Sequence, residues 1–170
     1  MLDQNALDTL FNNARSHNGW LDSDVSNEQI NQIYELMKYG PTAANNSPAR
    51  ITFVKSAAGK QKLKAHLDEG NVDKAMAAPV IAIISYDIEF YEKLPFLFPH
   101  ADARSWYAGN DAKIKSAGEM NATLQGAYFM MAARSVGLDC GPMGGFNSDT
   151  LDKEFFADGK TKSIFLCAIG

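Results

Sequence analysis

Five consecutive apolar residues, Val80-Ile81-Ala82-Ile83-Ile84, constrain this chain more than any other stretch. They leave no alternate position for a polar side chain, so they read as a β-strand buried on both faces. At 170 residues the chain is long enough for one domain with a sizeable core. The apolar run is far too short to span a bilayer, so no membrane partner is expected. Met1-Leu2-Asp3-Gln4-Asn5 has neither a basic region nor an apolar run, and no signal peptide is read there.

Composition excludes several functions. The net charge is −4 with no Lys/Arg run, which argues against nucleic acid as a partner. The two cysteines, Cys140 and Cys167, have no Cys-x-x-Cys spacing and no paired histidines beside them. That pattern points to no metal site, no disulfide framework and a reducing, cytoplasmic setting.

In chain order, residues 4–14 read as a helix with Leu7, Leu10, Phe11 and Ala14 on one face. It runs into Ala14-Arg15-Ser16-His17-Asn18-Gly19-Trp20, either a solvated helix end or an anion site with a guanidinium fork suited to phosphate. Ser26 and Gln29 form a capping-box pattern, and Val25 with Ile30 can staple the turn. Ile30, Ile33, Tyr34 and Met37 follow at helical spacing, with Gly40 as the stop.

Gly40 to Arg50 is a rigid polar loop. Pro41 and Pro48 fix φ, and Thr42 to Ser47 are small or amide residues. It is either a turn or a binding loop, and strand Ile51–Val54 follows it. Ser56 caps a helix to about Glu69, with Leu63 and Leu67 inward and Gly70 as its stop. Asn71 comes next, then a short amphipathic turn. Residues 88–107 crowd six aromatics among Pro95, Pro99, His100 and Arg104, an excursion that covers something: a hydrophobic interface or a substrate lid. Asp111 to Ser135 reads as a long helix stopped by Gly137, with Ala117, Asn121, Leu124, Gly126, Ala127, Tyr128 and Met131 inward. The loop Gly141 to Phe146 has three glycines that let backbone N–H groups approach a ligand. A helix at 149–156 and a strand at 163–169 complete the chain.

In this order the segments resemble the nitroreductase family of FMN-dependent oxidoreductases over nearly the whole chain. Arg15-Ser16-His17 stands where the family has an Arg-Ser-Arg phosphate triplet. Pro41 to Pro48 is similar to its Pro-Ser-Ser-x-Asn-x-Gln-Pro loop. Asn71 matches a flavin-contacting asparagine, and Pro142 to Phe146 resembles the loop beside the isoalloxazine. Within the family, His17-Asn18-Gly19-Trp20, Pro99 to Trp106 and Gly141-Pro142-Met143 resemble the malonic semialdehyde reductase subgroup of pyrimidine catabolism. His17 replaces an arginine, Ser47 replaces a glutamine, and the family's C-terminal tail is not seen after Gly170.

The resemblance implies an α+β fold, helices around a mixed, mostly antiparallel sheet, in a single domain over 1–170. It implies FMN held by Arg15, Ser16, His17, Pro41, Thr42, Ala43, Asn45, Ser47, Asn71, Pro142, Met143, Gly144 and Gly145. NAD(P)H would be the electron donor, the chemistry would occur at flavin N5 with no catalytic side chain, and FMN would lie at a homodimer interface. The substrate implied is a small semialdehyde such as malonic semialdehyde. Arg104 would grip its carboxylate, unless a chain carboxylate such as Asp102 already pairs with it. A broad nitroaromatic or quinone reductase, and a non-catalytic flavin-binding protein, stand as alternatives.

Overall fold

The computed structural model describes residues 1–170. Its centre is a four-stranded sheet in the order β1 (Ala49–Val54), β2 (Val80–Asp87), β4 (Thr161–Ile169), β3 (Cys140–Met143). Each neighbouring pair is antiparallel, and one isolated parallel bridge joins Ser16 to Cys140 outside the sheet proper. The expected apolar run lies in β2, a central strand with both faces covered.

Strand alternation explains the two covers. Val80, Ala82 and Ile84 of β2, with Cys140, Cys167 and Ile169, meet Ile33 and Met37 of α2 (Asn27–Met37) and Phe129, Ala132 and Ala133 of α6 (Asp111–Ser135). Ile81, Ile83, Leu166 and Ala168 point the other way. They meet Leu63 of α3 (Ala57–Lys64), Ala75 of α4 (Glu69–Ala77) and Leu151 of α7 (Ser148–Phe155). The architecture is three layers, α+β, as expected. No helix is long and apolar enough to cross a membrane.

Local signals hold at several ends. The capping box at Ser26 and Gln29 is formed in both directions, and Ser56 caps α3 through Gly59 N–H. The boundaries of α6 are those expected, and Gly137 ends it at φ +83°.

Five readings need correction. The first helix, α1 (Gln4–Leu7), gives way to a π-turn at Asp8–Asn12, and Leu7 and Phe11 stay exposed. Gly40 is not a left-handed stop; a Cβ there would lie 2.9 Å from the Tyr128 ring, so close packing fixes it. The helix after Ser56 ends at Lys64, and Gly70 and Asn71 open α4 instead. The buried face of α6 runs through Ile114, Gly118, Asn121, Ala122, Gln125, Gly126 and Phe129, which leaves Leu124, Ala127 and Tyr128 outside. Gly141, Pro142 and Met143 are strand β3, so only Gly144 and Gly145 remain as loop.

The excursion at 88–107 has its own small core. Phe90, Leu94, Ala103 and Tyr107 pack with Ile114 of α6 around a short helix, α5 (Leu94–Leu97). Phe96 and Trp106 remain exposed.

Candidate functional site

The expected site residues fall into two groups. The first lies along β3, an edge of the sheet. His17 N–H donates to Cys140 O at 3.0 Å, which lays residues 16–17 beside the strand. Gly141 is required there, because a Cβ would sit 2.4 Å from His17 O. His17 Nε2 is 3.4 Å from an Asp139 carboxylate oxygen. Arg15 donates one nitrogen, Nη1, to Asn12 O and Ala14 O at 2.8 and 2.7 Å. No carboxylate pairs with this exposed guanidinium, and its other nitrogens have no protein partner.

Past Pro142 and Met143, Gly144 and Gly145 turn toward α4. Gly145 O accepts from Asn71 Nδ2 at 2.7 Å and from Asp68 N–H at 3.0 Å. A Cβ on Gly145 would fall 2.4 Å from Asn71 Nδ2, whereas one on Gly144 would meet open space. Asn71 therefore keeps Oδ1 as a free acceptor. The N–H groups of Gly144 and Gly145 donate to no protein carbonyl. Arg15, Ser16, His17, Asn71, Pro142, Met143, Gly144 and Gly145 thus share one edge.

The second group is the loop Pro41–Pro48 at the start of β1. Its tip is a 3₁₀ turn, Ala43–Asn45, and Ala44, Asn45 and Ser47 all have positive φ. Thr42 Oγ1 accepts from Ser47 N–H at 3.1 Å and closes the turn. Asn45 Nδ2 donates to Leu97 O at 3.1 Å, which ties the tip to α5. Asn46, which the sequence reading did not select, is buried with neither amide atom hydrogen-bonded. A cleft of about 870 Å³ between α2 and β1, lined by Tyr34, Met37, Asn45, Ser47, Phe53 and Gln125 among others, opens beside this loop.

One chain does not bring the two groups together. β1 and β3 are opposite edges, separated by three strand spacings, about 14 Å. Val54, Ile81, Ala168 and Gly141 form one row across the sheet. Ala49 lies five residues along β1 from that row, about 17 Å further. The loop is also held by α6 on one face, whereas Asn71 belongs to α4 on the other. They occupy opposite corners.

Arg104 belongs with the loop, not with β3. Its fork is closed on Glu92, with Nε to Oε2 and Nη2 to Oε1 both 2.8 Å, and its guanidinium lies 5.8 Å from the Tyr91 ring. The hydrogen bonds from Arg104 hold the Glu92 carboxyl below the usual range. Asp102 instead caps its own turn through Ser105 N–H. The carboxylate partner is Glu92, which the sequence did not single out.

Residues 13–170 match the nitroreductase family. The chain belongs to the nitroreductase family. Members of this family are flavin oxidoreductases that use FMN. A relative from Ralstonia nicotianae, named a candidate NADH dehydrogenase/NAD(P)H nitroreductase, is 53% identical over 99% of this chain and 87% of its own length. A protein of the same name from Stutzerimonas stutzeri is 53% identical over 99% of this chain and 86% of its own. Among solved structures, a candidate nitroreductase from Bacillus subtilis superposes with a TM-score of 0.87 at 20% identity, over 99% of this chain and 89% of that one. A candidate nitroreductase from Exiguobacterium sibiricum, crystallised in complex with FMN, gives 0.86 at 18% identity, over 100% and 89%. At those identities the solved structures establish the nitroreductase fold.

Proposed function

We propose that this nitroreductase takes hydride from NAD(P)H and passes it to a small organic oxidant, using FMN seated between two copies of the chain. The observation that carries the reading is the separation of the two residue groups onto opposite corners. The loop borders a cleft within one chain, but no residue of the β3 edge lines it; a second copy turned to face the first would set the loop 41–48 of one against the β3 edge of the other.

The β3 edge fits FMN chemically. Arg15, with no carboxylate partner, offers a phosphate the guanidinium nitrogens not already donating to Asn12 O and Ala14 O, with Ser16 and His17 alongside. Asn71 Oδ1 is an acceptor for a ring N–H, and Gly144 and Gly145 offer unpaired N–H donors with open space beside Gly144. FMN, when bound, supplies the hydride acceptor and donor. The chain's own residues bind, orient and exclude water. Thr42, Ala43, Asn45 and Ser47 would close the site from the second copy, with Pro41 setting the loop's entry.

The second copy also accounts for exposed apolar surface. Met120, Leu124 and Tyr128 form a stripe at every fourth residue on the outer side of α6, and Leu7 and Phe11 are exposed as well. Patches of this kind mark interfaces. The two buried thiols fit a reducing compartment such as the cytoplasm.

The finer reading, a small semialdehyde as oxidant, rests on the subgroup resemblance and on Arg104. That pair with Glu92 is solvent-exposed on both sides, so it is weakly held. A substrate carboxylate could take the place of Glu92 on the fork. A nitroaromatic or quinone needs no such exchange, and the relatives' names favour nitro reduction.

The test is direct. Purified protein should be yellow or take up one FMN per chain, and then oxidise NADH or NADPH in the presence of a quinone. Colourless protein that cannot be reconstituted with FMN would sink the proposal.

A further inference from the structure

Two amide side chains on the inner face of α6 are spent on backbone N–H groups of the loop and of the strand residue that follows it. Asn121 is fully buried; its Oδ1 accepts from Ala43 N–H at 2.7 Å, and its Nδ2 donates to Ala117 O at 2.8 Å. Gln125 lies one helical turn on and is 5% exposed; its Oε1 accepts from Ala49 N–H at 2.9 Å. One bond holds the start of the loop's tip, and the other holds the first β1 residue just after Pro48.

Between these two bonds the backbone enters the left-handed region three times, at Ala44, Asn45 and Ser47, with φ of 49°, 52° and 39°. None of these residues is glycine, so each is held against a steric cost. Such a conformation persists only where the surroundings over-determine it. The internal bond from Ser47 N–H to Thr42 closes the turn but does not fix where the turn sits. Asn121 and Gln125 do that from a rigid helix. Their chemistry is otherwise out of place, because an apolar side chain would fill either buried position without needing a polar partner.

We propose that Asn121 and Gln125 are positioning residues of the flavin site. They hold the strained loop in the shape that presents Asn45 and Ser47 to the FMN seated on the β3 edge of a second copy. The inference rests on the two-corner reading above. Neither side chain touches the cofactor in this account; both act through the loop. A loop held in advance spends no binding energy on being ordered.

The experiment uses the full chain with Asn121→Leu, Gln125→Leu and Gln125→Glu, the last of which keeps an oxygen for Ala49 N–H. Three quantities are read: thermal unfolding without FMN, amide exchange at Ala43 and Ala49, and the FMN Kd from quenching of flavin fluorescence. In each Leu variant the anchored amide should exchange faster, and the FMN Kd of the folded protein should rise about tenfold or more, the scale of one buried donor left unsatisfied. Gln125→Glu should recover most of the affinity. If the exchange rates change while the Kd stays put, the amides anchor a loop that the cofactor does not use, and the proposal fails. Unchanged exchange also overturns it, as do equal losses in Gln125→Leu and Gln125→Glu. Should Asn121→Leu not fold, the two Gln125 variants decide alone. Absence of FMN binding by the unmodified protein overturns the cofactor reading and this one together, whereas normal binding there with unaltered variants overturns only this one.

Discussion

Arg104 shows how a single side chain can serve structure or substrate. Its bidentate pair with Glu92 and its place over Tyr91 knit the excursion at 88–107 together. Both partners are close to half exposed, and solvent screens such pairs strongly. If the fork passes to a substrate carboxylate, Arg104→Ala should lower kcat/KM for malonic semialdehyde by about tenfold or more while sparing an uncharged quinone. Steady-state kinetics on both oxidants decide it; equal losses on both, with a lower Tm, would make the residue structural. The guanidinium and the covering excursion that carries it were legible in the sequence. Glu92 as the partner was not, because a bidentate fit depends on how two short turns fold back. Asn71 shows the same boundary. Its type was readable, but its bond to Gly145 joins positions 74 residues apart.

At the scale of elements, turn chemistry carried much of the reading. The capping box, the Ser56 cap and the Gly137 stop of α6 follow from residues within a turn of the boundary. The orientation of α6 did not follow. Apolar residues line nearly its whole circumference, so periodicity offered no single inward stripe. One side packs on the sheet, and the other is the Met120, Leu124 and Tyr128 stripe proposed to meet a second copy. Strand β2 adds a test of its own. Tyr86 is buried against Gly118 of α6, and burial pushes its phenol up to about 12. The ordinary value is about 10, so the folded state holds this proton longer than the unfolded chain does. The contribution is therefore complete below about pH 10 and lost as pH rises toward about 12. Urea midpoints at pH 9 and about pH 11.5 should fall further for the unmodified protein than for Tyr86→Phe. A parallel fall would show that Tyr86 does not set the alkaline limb.

At the scale of the molecule, the sequence offers the candidate site as a set of residues and not as a place. The sequence named the loop 41–48 and the β3-edge residues together, and folding separates them by the width of the sheet. In the proposed dimer a second copy would bring them back together. Leu124→Glu puts a charge into the stripe on α6, so light scattering should report a shift toward monomer with FMN lost in step. A dimer that persists with FMN bound would move the interface elsewhere.

The most direct measurement mixes two damaged chains. Arg15→Ala removes the phosphate fork from the β3 edge. Asn45→Gly removes the side chain from the loop tip without straining a residue at φ 52°. Each homodimer should bind FMN weakly. Co-expressed with different tags and purified as a heterodimer, the two chains should form one site carrying both lesions and one carrying neither. The heterodimer should therefore bind one FMN at the affinity of the unmodified protein. No site of that affinity would mean that each chain builds its own site, and the two-copy account would be wrong.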